Sequence, residues 1–253
     1  MKKIALTSLL AVFAAAGANA ANMIDGNPLY MPNKGHFYSE TALSSHSEHG
    51  EDWTLGEQFG FGVTDRLAVD VKTGLAEYES FDGYGWNDLS FGLTARVFEN
   101  RGWVADVYGR YELDPVWGDH SSFLDEDDTI YTWTAGIRGG YMTSLWTVAG
   151  HFEFAYMGDE SFNWDEEGLH MLRVGLDGQY LIDSNWNLTA GIEYAGSTDD
   201  SHYNTWTGKF GVNYNIDARK YVGAWISTGL DHTSGDWEWT DGVGYGVKFG
   251  IEF

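Results

Sequence analysis

Apolar and polar side chains alternate along most of this chain, from about His36 to its last residue. Successive side chains of a β-strand point to opposite faces, so alternation predicts strands with one apolar face. The pattern is clearest over residues 242–253, where one face carries glycine, Lys248 and Glu252, and the other carries Val243, Tyr245, Val247, Phe249, Ile251 and Phe253. We therefore expect a closing strand whose apolar face meets a nonpolar environment.

Twelve segments show this alternation, and we predict a strand in each: 36–43, 53–63, 66–74, 87–97, 103–113, 129–142, 145–156, 169–181, 186–194, 204–214, 220–230 and 242–253. Short and long links alternate between them, and both ends of the array lie on the short-link side. Transmembrane barrels have this layout, and their closure removes the unpaired edges that lipid does not tolerate. The expected fold is all-β: an antiparallel up-and-down transmembrane β-barrel with short periplasmic turns and longer acidic outer loops.

The region before the first strand divides into two parts. Residues 1–20 combine two lysines, a short apolar run and an A-x-A sequence ending at Ala20, which is the pattern of a secretory signal peptide. Residues 21–35 contain Pro28, Pro32 and Gly35 and predict a periplasmic N-terminal lead-in rather than a strand. The barrel is assigned to residues 36–253.

The composition agrees with an exported all-β protein. The chain contains 12 Trp, 15 Tyr, 14 Phe and 33 Gly, which suits many strands joined by tight turns. It has no cysteine, so disulfides and thiolate metal sites are excluded. The formal net charge of −24 argues against a nucleic-acid partner, whose phosphates would be repelled.

The polar faces of the predicted strands decide between a membrane barrel and a soluble one. A soluble β-sandwich or lipocalin-like barrel also alternates, but it turns its apolar face inward. Its outer surface would then be an unusually regular coat of charge and glycine. We instead place the polar face inside the barrel, where the lumen-facing charged and ionisable residues are expected to be Glu57, Asp70, Lys72, Arg96, Asp106, Arg110, Arg138, His151, Glu153, Arg173, Asp177, Glu193, Lys209, Lys248 and Glu252.

The predicted outer loops are strongly acidic. The long links near 44–52, 75–86, 114–128, 157–168, 195–203 and 231–241 contain carboxylates and no Lys or Arg. A field of one sign at an entrance concentrates counter-ions, so any pore should prefer cations at this mouth. Asp125, Glu126, Asp127 and Asp128 lack the spacing of a dedicated calcium loop, and we expect at most loose bridging of Ca²⁺ or Mg²⁺ there and no cofactor.

Two enzymatic functions are alternatives to a non-enzymatic barrel. An outer-membrane protease would use histidine and acidic residues at the mouth, and several histidines, such as His120 and His232, follow a carboxylate in these loops. An outer-membrane phospholipase would need a Ser–His pair on the lipid side, but outward-facing His170 has no serine of matching parity beside it. We predict that the chain is not an enzyme.

The closing strand looks like the C-terminal assembly signal of Gram-negative outer-membrane β-barrels, carried here by Tyr245, Val247, Phe249, Ile251 and Phe253. The mature chain as a whole resembles the small porin-like members of that class. This resemblance implies location in the outer membrane, contact with lipid and lipopolysaccharide, and insertion by the barrel assembly machinery with periplasmic chaperones. The expected function is a narrow channel for small solutes, and the alternative is a closed structural or surface-interaction barrel.

Overall fold

The computed structural model describes residues 26–47, 53–78, 83–115, 129–159, 169–198, 204–233, 236–239 and 242–253. These residues form thirteen strands: β1 (Phe37–His46), β2 (Trp53–Thr64), β3 (Leu67–Tyr78), β4 (Gly83–Asn100), β5 (Trp103–Pro115), β6 (Thr129–Met142), β7 (Trp146–Asp159), β8 (Leu169–Leu181), β9 (Trp186–Ser197), β10 (Asn204–Asp217), β11 (Lys220–Thr233), β12 (Asp236–Trp239) and β13 (Gly244–Glu252). No helix in the described part of the chain is long and apolar enough to cross a membrane.

Twelve of these strands close into one antiparallel barrel, as the alternation predicts. Each strand from β1 to β11 pairs with its neighbour in sequence, β13 pairs with β11, and β13 also pairs with β1 from Tyr38↔Glu252 to His46↔Gly244. The short strand β12 lies outside this ring and pairs with the outer end of β11. The predicted fold class is therefore confirmed.

The two faces of the wall have opposite chemistry. On β4, Phe91 and Leu93 are about half exposed on the outside (49% and 50%), whereas the flanking residues Ser90 and Thr94 are buried inside. The same alternation on β11 turns Val222 outward and Tyr221 inward. An apolar exterior around a polar interior is the pattern of a barrel that spans lipid.

Aromatic side chains lie near both ends of the outer wall. At the short-turn end, the ring of Phe37 packs against Phe61 and Phe253, with centroids 4.4 and 6.1 Å away. At the opposite end, Trp133 packs against Tyr111, and Trp206 packs against Tyr194. Amphipathic rings favour the two membrane–water interfaces, so these belts bound the apolar band.

The short turns are tightly built. Arg101 and Gly102 join β4 to β5 with φ angles of 50° and 86°, and two positive φ values match the primed turns that fit the twist of a hairpin. Asp183 lies in the turn between β8 and β9, where the backbone N–H groups of Asn185 and Trp186 donate to its carboxylate at 2.8 Å. These two bonds favour the ionised form and lower the pKa of the Asp183 carboxyl.

Strand boundaries differ from the predicted ones mainly at the ends. Strand β4 runs over Gly83–Asn100 rather than 87–97, and β12 forms within a segment that was predicted to be a loop. The alternation fades where a strand leaves the apolar band, but the backbone ladder with the neighbouring strand continues beyond that point. The long link that contains Asp125–Asp128 lies outside the described residues, as do residues 1–25.

Candidate channel lumen

Residues 26–35 lie inside the barrel at its short-turn end. Leu29 is 1% exposed and packs against Val104, Ala149 and Met142, which face inward from β5, β7 and β6. Pro28 is the second residue of a turn in which the backbone N–H of Tyr30 donates to the carbonyl of Asn27 at 3.1 Å. The sequence pattern predicts a periplasmic lead-in over residues 21–35. The structure corrects that placement, because these residues find their packing and hydrogen-bond partners within the lumen.

The segment crosses the lumen from one wall to another. A Cβ atom at Gly26 would meet side-chain atoms of Thr189 on β9 and Asn213 on β10, so glycine permits this close approach. At the other end, the backbone N–H of Gly35 donates to the carbonyl of Gly62 on β2 at 2.8 Å. We call residues 26–35 the plug.

Two arginines and one aspartate attach the plug to the barrel wall. Asp106 on β5 accepts a hydrogen bond from Arg96 Nε at 2.9 Å and another from Arg138 Nε at 2.8 Å. The same arginines each donate an Nη2 hydrogen to the plug, to the carbonyl oxygens of Leu29 at 2.6 Å and Tyr30 at 2.9 Å. The side chain of Asp106 is fully buried, so it offsets two guanidinium charges that would otherwise repel each other.

A second group of ionisable side chains lines the lumen on β5 and β7 to β9. Glu153 accepts hydrogen bonds from the hydroxyl of Tyr108 at 2.7 Å and from Arg173 Nη1 at 3.3 Å. His151 lies beside it, with Nδ1 3.1 Å from Asp177 Oδ2 and Nε2 3.0 Å from Glu193 Oε2. A histidine held between two carboxylates on both ring nitrogens is arranged as a structural bridge across three strands.

A third group of polar side chains connects strands β2, β3, β4 and β5. Arg110 donates to Asp70 Oδ1 at 2.5 Å and to Ser90 Oγ at 2.7 Å, and Gln58 donates to the same carboxylate at 3.1 Å. Lys72 Nζ lies 3.5 Å from Asp88 Oδ2. Each inward cation of this group therefore forms an ion pair with a carboxylate. The order of residues along the strands does not predict these pairs.

The remaining lysines face the lumen from β10 and β13. Lys248 Nζ lies 3.4 Å from Glu40 Oε2, and the hydroxyl of Tyr221 donates to the same carboxylate. Lys209 Nζ lies 4.4 Å from the ring centroid of Trp225, a cation–π geometry. Glu40 is not among the predicted lumen residues, although it lies two positions from inward Tyr38 on the same strand and so shares its face.

The structure places the following predicted residues on the inward face: Asp70, Lys72, Arg96, Asp106, Arg110, Arg138, His151, Glu153, Arg173, Asp177, Glu193, Lys209, Lys248 and Glu252. It brings them together as separate clusters rather than as one continuous track. No group of three or more His, Asp or Glu side chains among the described residues is arranged to hold a metal ion.

Glu57 is a correction to the predicted set. Leu55 and Phe59, two residues to either side of it on β2, are 45% and 50% exposed, whereas Gln58 between them is buried inward. Glu57 therefore lies on the outer wall, where both carboxylate oxygens accept hydrogen bonds, from Ser39 Oγ at 2.6 Å and Thr41 Oγ1 at 2.5 Å. Its charge suggested the lumen, but the period-two geometry of the strand decides its face.

Comparison with known proteins places this geometry in context. No protein-family model and no curated protein sequence matches the chain. Solved structures do match: an outer membrane channel from Pseudomonas putida F1 has a TM-score of 0.59 and 13% identity, with 92% of this chain and 99% of that one covered. The KdgM porin in complex with disordered oligogalacturonate has a TM-score of 0.58 and 10% identity, with coverages of 85% and 99%. The NanC porin has a TM-score of 0.57 and 9% identity, with coverages of 85% and 98%.

The chain has the fold of an outer-membrane porin. Within this porin fold, Tyr245, Val247, Phe249, Ile251 and Phe253 occupy the outward side of β13 and the residue that follows it. Phe253 also continues the ladder to β1, because its backbone exchanges two hydrogen bonds with Phe37 at 2.8 and 2.9 Å. The terminal residues thus close the barrel.

Proposed function

We propose that the protein is a non-enzymatic channel for small solutes in the Gram-negative outer membrane, and that the plug closes its short-turn end in the conformation described above. The observation that carries this proposal is the polar lumen: Asp106, Glu153, Arg138 and Arg173 are buried inside a wall whose outer face is apolar. Twelve strands lie between the side-chain-filled eight-stranded barrels and the open sixteen-stranded porins, so a narrow passage is the expected result.

The charge balance of the lumen bears on the solute. The KdgM porin is described in complex with oligogalacturonate, a polyanion. In this chain, carboxylates pair with the inward arginines at Asp70, Asp106 and Glu153, which offsets much of their charge. We therefore propose small solutes without a preference for polyanions. The acidic outer loops support a preference for cations at the mouth.

The alternative function is a closed structural or surface-interaction barrel. The plug and the paired charges support this alternative, since the plug crosses the lumen and the inward charges bind one another. Lipid, lipopolysaccharide and the assembly machinery are proposed partners under both functions, because both require insertion into the outer membrane.

Single-channel conductance in planar bilayers tests the proposal. The plug can be displaced by Gly62→Ala, because a Cβ atom there would meet backbone atoms of Asn33 and lie 2.6 Å from the carbonyl oxygen of Pro32. Gly56→Ala is the matched control, since Gly56 shares the same strand and face and a Cβ atom there meets nothing within 4 Å.

We expect short, infrequent openings from the native chain and from Gly56→Ala, and longer openings from Gly62→Ala. A variant that lacks residues 26–33 should conduct continuously. If neither Gly62→Ala nor the deletion conducts, the protein is a closed barrel and the channel proposal is wrong. If all variants conduct equally, the chain is a channel but the plug does not close it.

A further inference from the structure

The arginines that hold the plug differ from the other lumenal arginines in their charge balance. Arg110 and Arg173 each form an ion pair with a carboxylate of their own. Arg96 and Arg138 instead share the single carboxylate of Asp106. We call Arg96, Asp106 and Arg138 the arginine cluster. Two guanidinium groups and one carboxylate leave this cluster with an excess positive charge.

The excess charge of the arginine cluster is buried. The side chains of Asp106 and Arg138 are 0% and 4% exposed, and that of Arg96 is 9% exposed. Within the described residues, one further carboxylate lies near the cluster: Glu99 Oε2 is 3.9 Å from Arg96 Nη1, on a side chain that is 51% exposed. Water screens that exposed charge, whereas buried charges are screened much less. The cluster therefore retains an attraction for anions.

The plug meets this charge with carbonyl dipoles and not with a negative charge. Arg96 Nη2 donates to the carbonyl oxygen of Leu29 at 2.6 Å, and Arg138 Nη2 donates to that of Tyr30 at 2.9 Å. These two oxygens mark the places where the cluster binds acceptors. A carboxylate or a phosphate can place its oxygens against a guanidinium group bidentately, and it adds the charge that the carbonyl oxygens lack.

Arg138 also keeps a donor group that the plug does not use. A guanidinium group has five N–H donors. Arg138 Nε donates to Asp106 and Nη2 donates to Tyr30, whereas Nη1 makes no hydrogen bond to any residue that the structure describes. Once the carbonyl of Tyr30 leaves, Nη1 and Nη2 together offer the two parallel N–H groups that a carboxylate or a phosphate accepts.

We propose that the arginine cluster is a binding site for a small oxyanion, a carboxylate or a phosphate group, and that the plug competes with this anion for the site. The inference rests on the proposed function, because it requires that the plug can leave the position described above. The anion binds only when Leu29 and Tyr30 have withdrawn, so it stabilises the displaced plug by mass action. An anionic solute at the short-turn end would thereby favour the open form.

Phosphate binding to the purified, folded chain tests this inference. Inorganic phosphate would be titrated into Gly62→Ala, designed to displace the plug, and into the control Gly56→Ala, by calorimetry in detergent micelles at constant ionic strength. We expect about tenfold tighter binding to Gly62→Ala, because the apparent dissociation constant falls as the plug leaves the site in a larger fraction of molecules. Acetate, titrated in parallel, shows whether a carboxylate or a phosphate binds more tightly.

Two arginine changes, each combined with Gly62→Ala, locate the site. Arg138→Gln leaves Arg96 and Asp106 as a neutral pair, so phosphate affinity should fall by about tenfold. Arg66→Gln is the matched control, because Arg66 lies at the same end of the barrel but is exposed in the turn between β2 and β3. It should leave phosphate affinity unchanged. Heat-modifiable migration on gels would check that each variant is folded.

A second measurement needs no variant with a displaced plug. Met31 is 9% exposed within the plug and the chain has no cysteine, so Met31→Cys provides one buried thiol. Labelling of this thiol by N-ethylmaleimide requires the plug to leave. At a phosphate concentration about ten times the dissociation constant, we expect labelling about tenfold faster than in chloride of the same ionic strength.

Absence of phosphate and acetate binding to folded Gly62→Ala, or labelling of Met31→Cys that neither anion accelerates, would overturn the inference. Equal binding by Gly62→Ala and Gly56→Ala would show that the plug does not compete with the anion. Unchanged binding after Arg138→Gln, or an equal loss after Arg66→Gln, would place the anion elsewhere. None of these readouts requires conductance, so a chain that binds phosphate but never conducts contradicts only the proposed channel, and one that conducts without binding either anion contradicts only this inference.

Discussion

At the scale of single residues, Asp106 connects two strands of the wall and, through their arginines, the plug. No local sequence pattern indicates these contacts. Its two carboxylate oxygens join Arg96 on β4 to Arg138 on β6, and these arginines in turn hold the plug. Removing one member of a buried ion pair leaves an uncompensated charge, which is far more costly than losing an exposed pair. Arg96 has a partner of each kind. Asp106 is buried, whereas Glu99 is exposed, with Oε2 3.9 Å from Arg96 Nη1.

We predict that Asp106→Ala lowers the free energy of unfolding by about 3–5 kcal/mol, because two buried guanidinium groups are left without their shared anion. Glu99→Ala, which removes a half-exposed partner of Arg96, should cost less than about 1 kcal/mol. Urea unfolding in lipid vesicles, followed by tryptophan fluorescence, measures both. Similar losses in the two variants would contradict the role assigned to Asp106.

At the scale of the strand, the face of each residue follows from parity. Leu93 and Val247 are 50% and 54% exposed on the outer wall, and both lie well inside the apolar band of their strands. Their neighbours Thr94 and Gly246 face the lumen, where a polar group has other polar groups to contact. A Cβ atom at Gly246 would lie 2.8 Å from the ring of Trp225. Larger side chains are therefore disfavoured at position 246 by this close contact and not by lipid.

We predict that Leu93→Arg or Val247→Arg lowers the free energy of unfolding by about 2–4 kcal/mol, because the guanidinium would enter hydrocarbon near mid-depth. The adjacent change Thr94→Asn should have a smaller effect, since Thr94 faces the polar lumen. Unfolding titrations in vesicles would measure the difference. A greater loss at Thr94 than at Leu93 would reverse the faces of β4.

The last strand closes the barrel, and we predict that Phe253→Asp impairs insertion. The ring of Phe253 stacks on Phe37 with an interplanar angle of 16°, at the seam where β13 meets β1. A carboxylate there would remove this contact and place a charge in the aromatic belt. Phe253→Tyr is the control, because it keeps the ring.

Insertion of each variant is measured as the amount of heat-modifiable protein in outer-membrane fractions. We expect Phe253→Tyr to match the native chain and Phe253→Asp to fall below it. Normal levels of folded Phe253→Asp in the membrane would show that closure does not need the terminal aromatic ring.

At the scale of the whole molecule, charge is distributed unequally along the barrel axis. The long links on the outer side carry carboxylates without Lys or Arg, whereas basic residues outside the lumen, such as Arg66, Arg101 and Arg219, lie at the short-turn end. The lumen between them is nearly balanced, because most of its cations pair with carboxylates. Any ion selectivity should therefore arise at the outer mouth.

We predict that a conducting form of the channel, such as the plug deletion, prefers cations in dilute salt and loses this preference in concentrated salt. The reason is screening: the Debye length falls from about 8 Å at physiological ionic strength to about 3 Å at 1 M. Reversal potentials across KCl gradients measure the preference. Neutralising Asp125 to Asp128 as amides should weaken it, and anion selectivity at low salt would instead indicate the lumenal arginines as the filter.

The sequence by itself determined the fold class, because strand periodicity is local. Leu89, Phe91 and Leu93 share a face whatever their neighbours are, and the alternation of short and long links follows from counting along the chain. Strand number, closure and the polar lumen could therefore be predicted without knowing a single contact. Strand ends were less well predicted, since pairing continues beyond the apolar band.

Only the tertiary structure decided which inward charges meet and what fills the lumen. The contacts of Asp106 with Arg96 and Arg138 join distant parts of the chain across the barrel, as do the hydrogen bonds from these arginines to the carbonyls of Leu29 and Tyr30. No periodicity marks residues 26–35, so their place depends on these long-range contacts. Glu57 shows the converse: its charge indicated the lumen, but every residue of a paired strand is oriented by one shared register, and that register turns Glu57 outward.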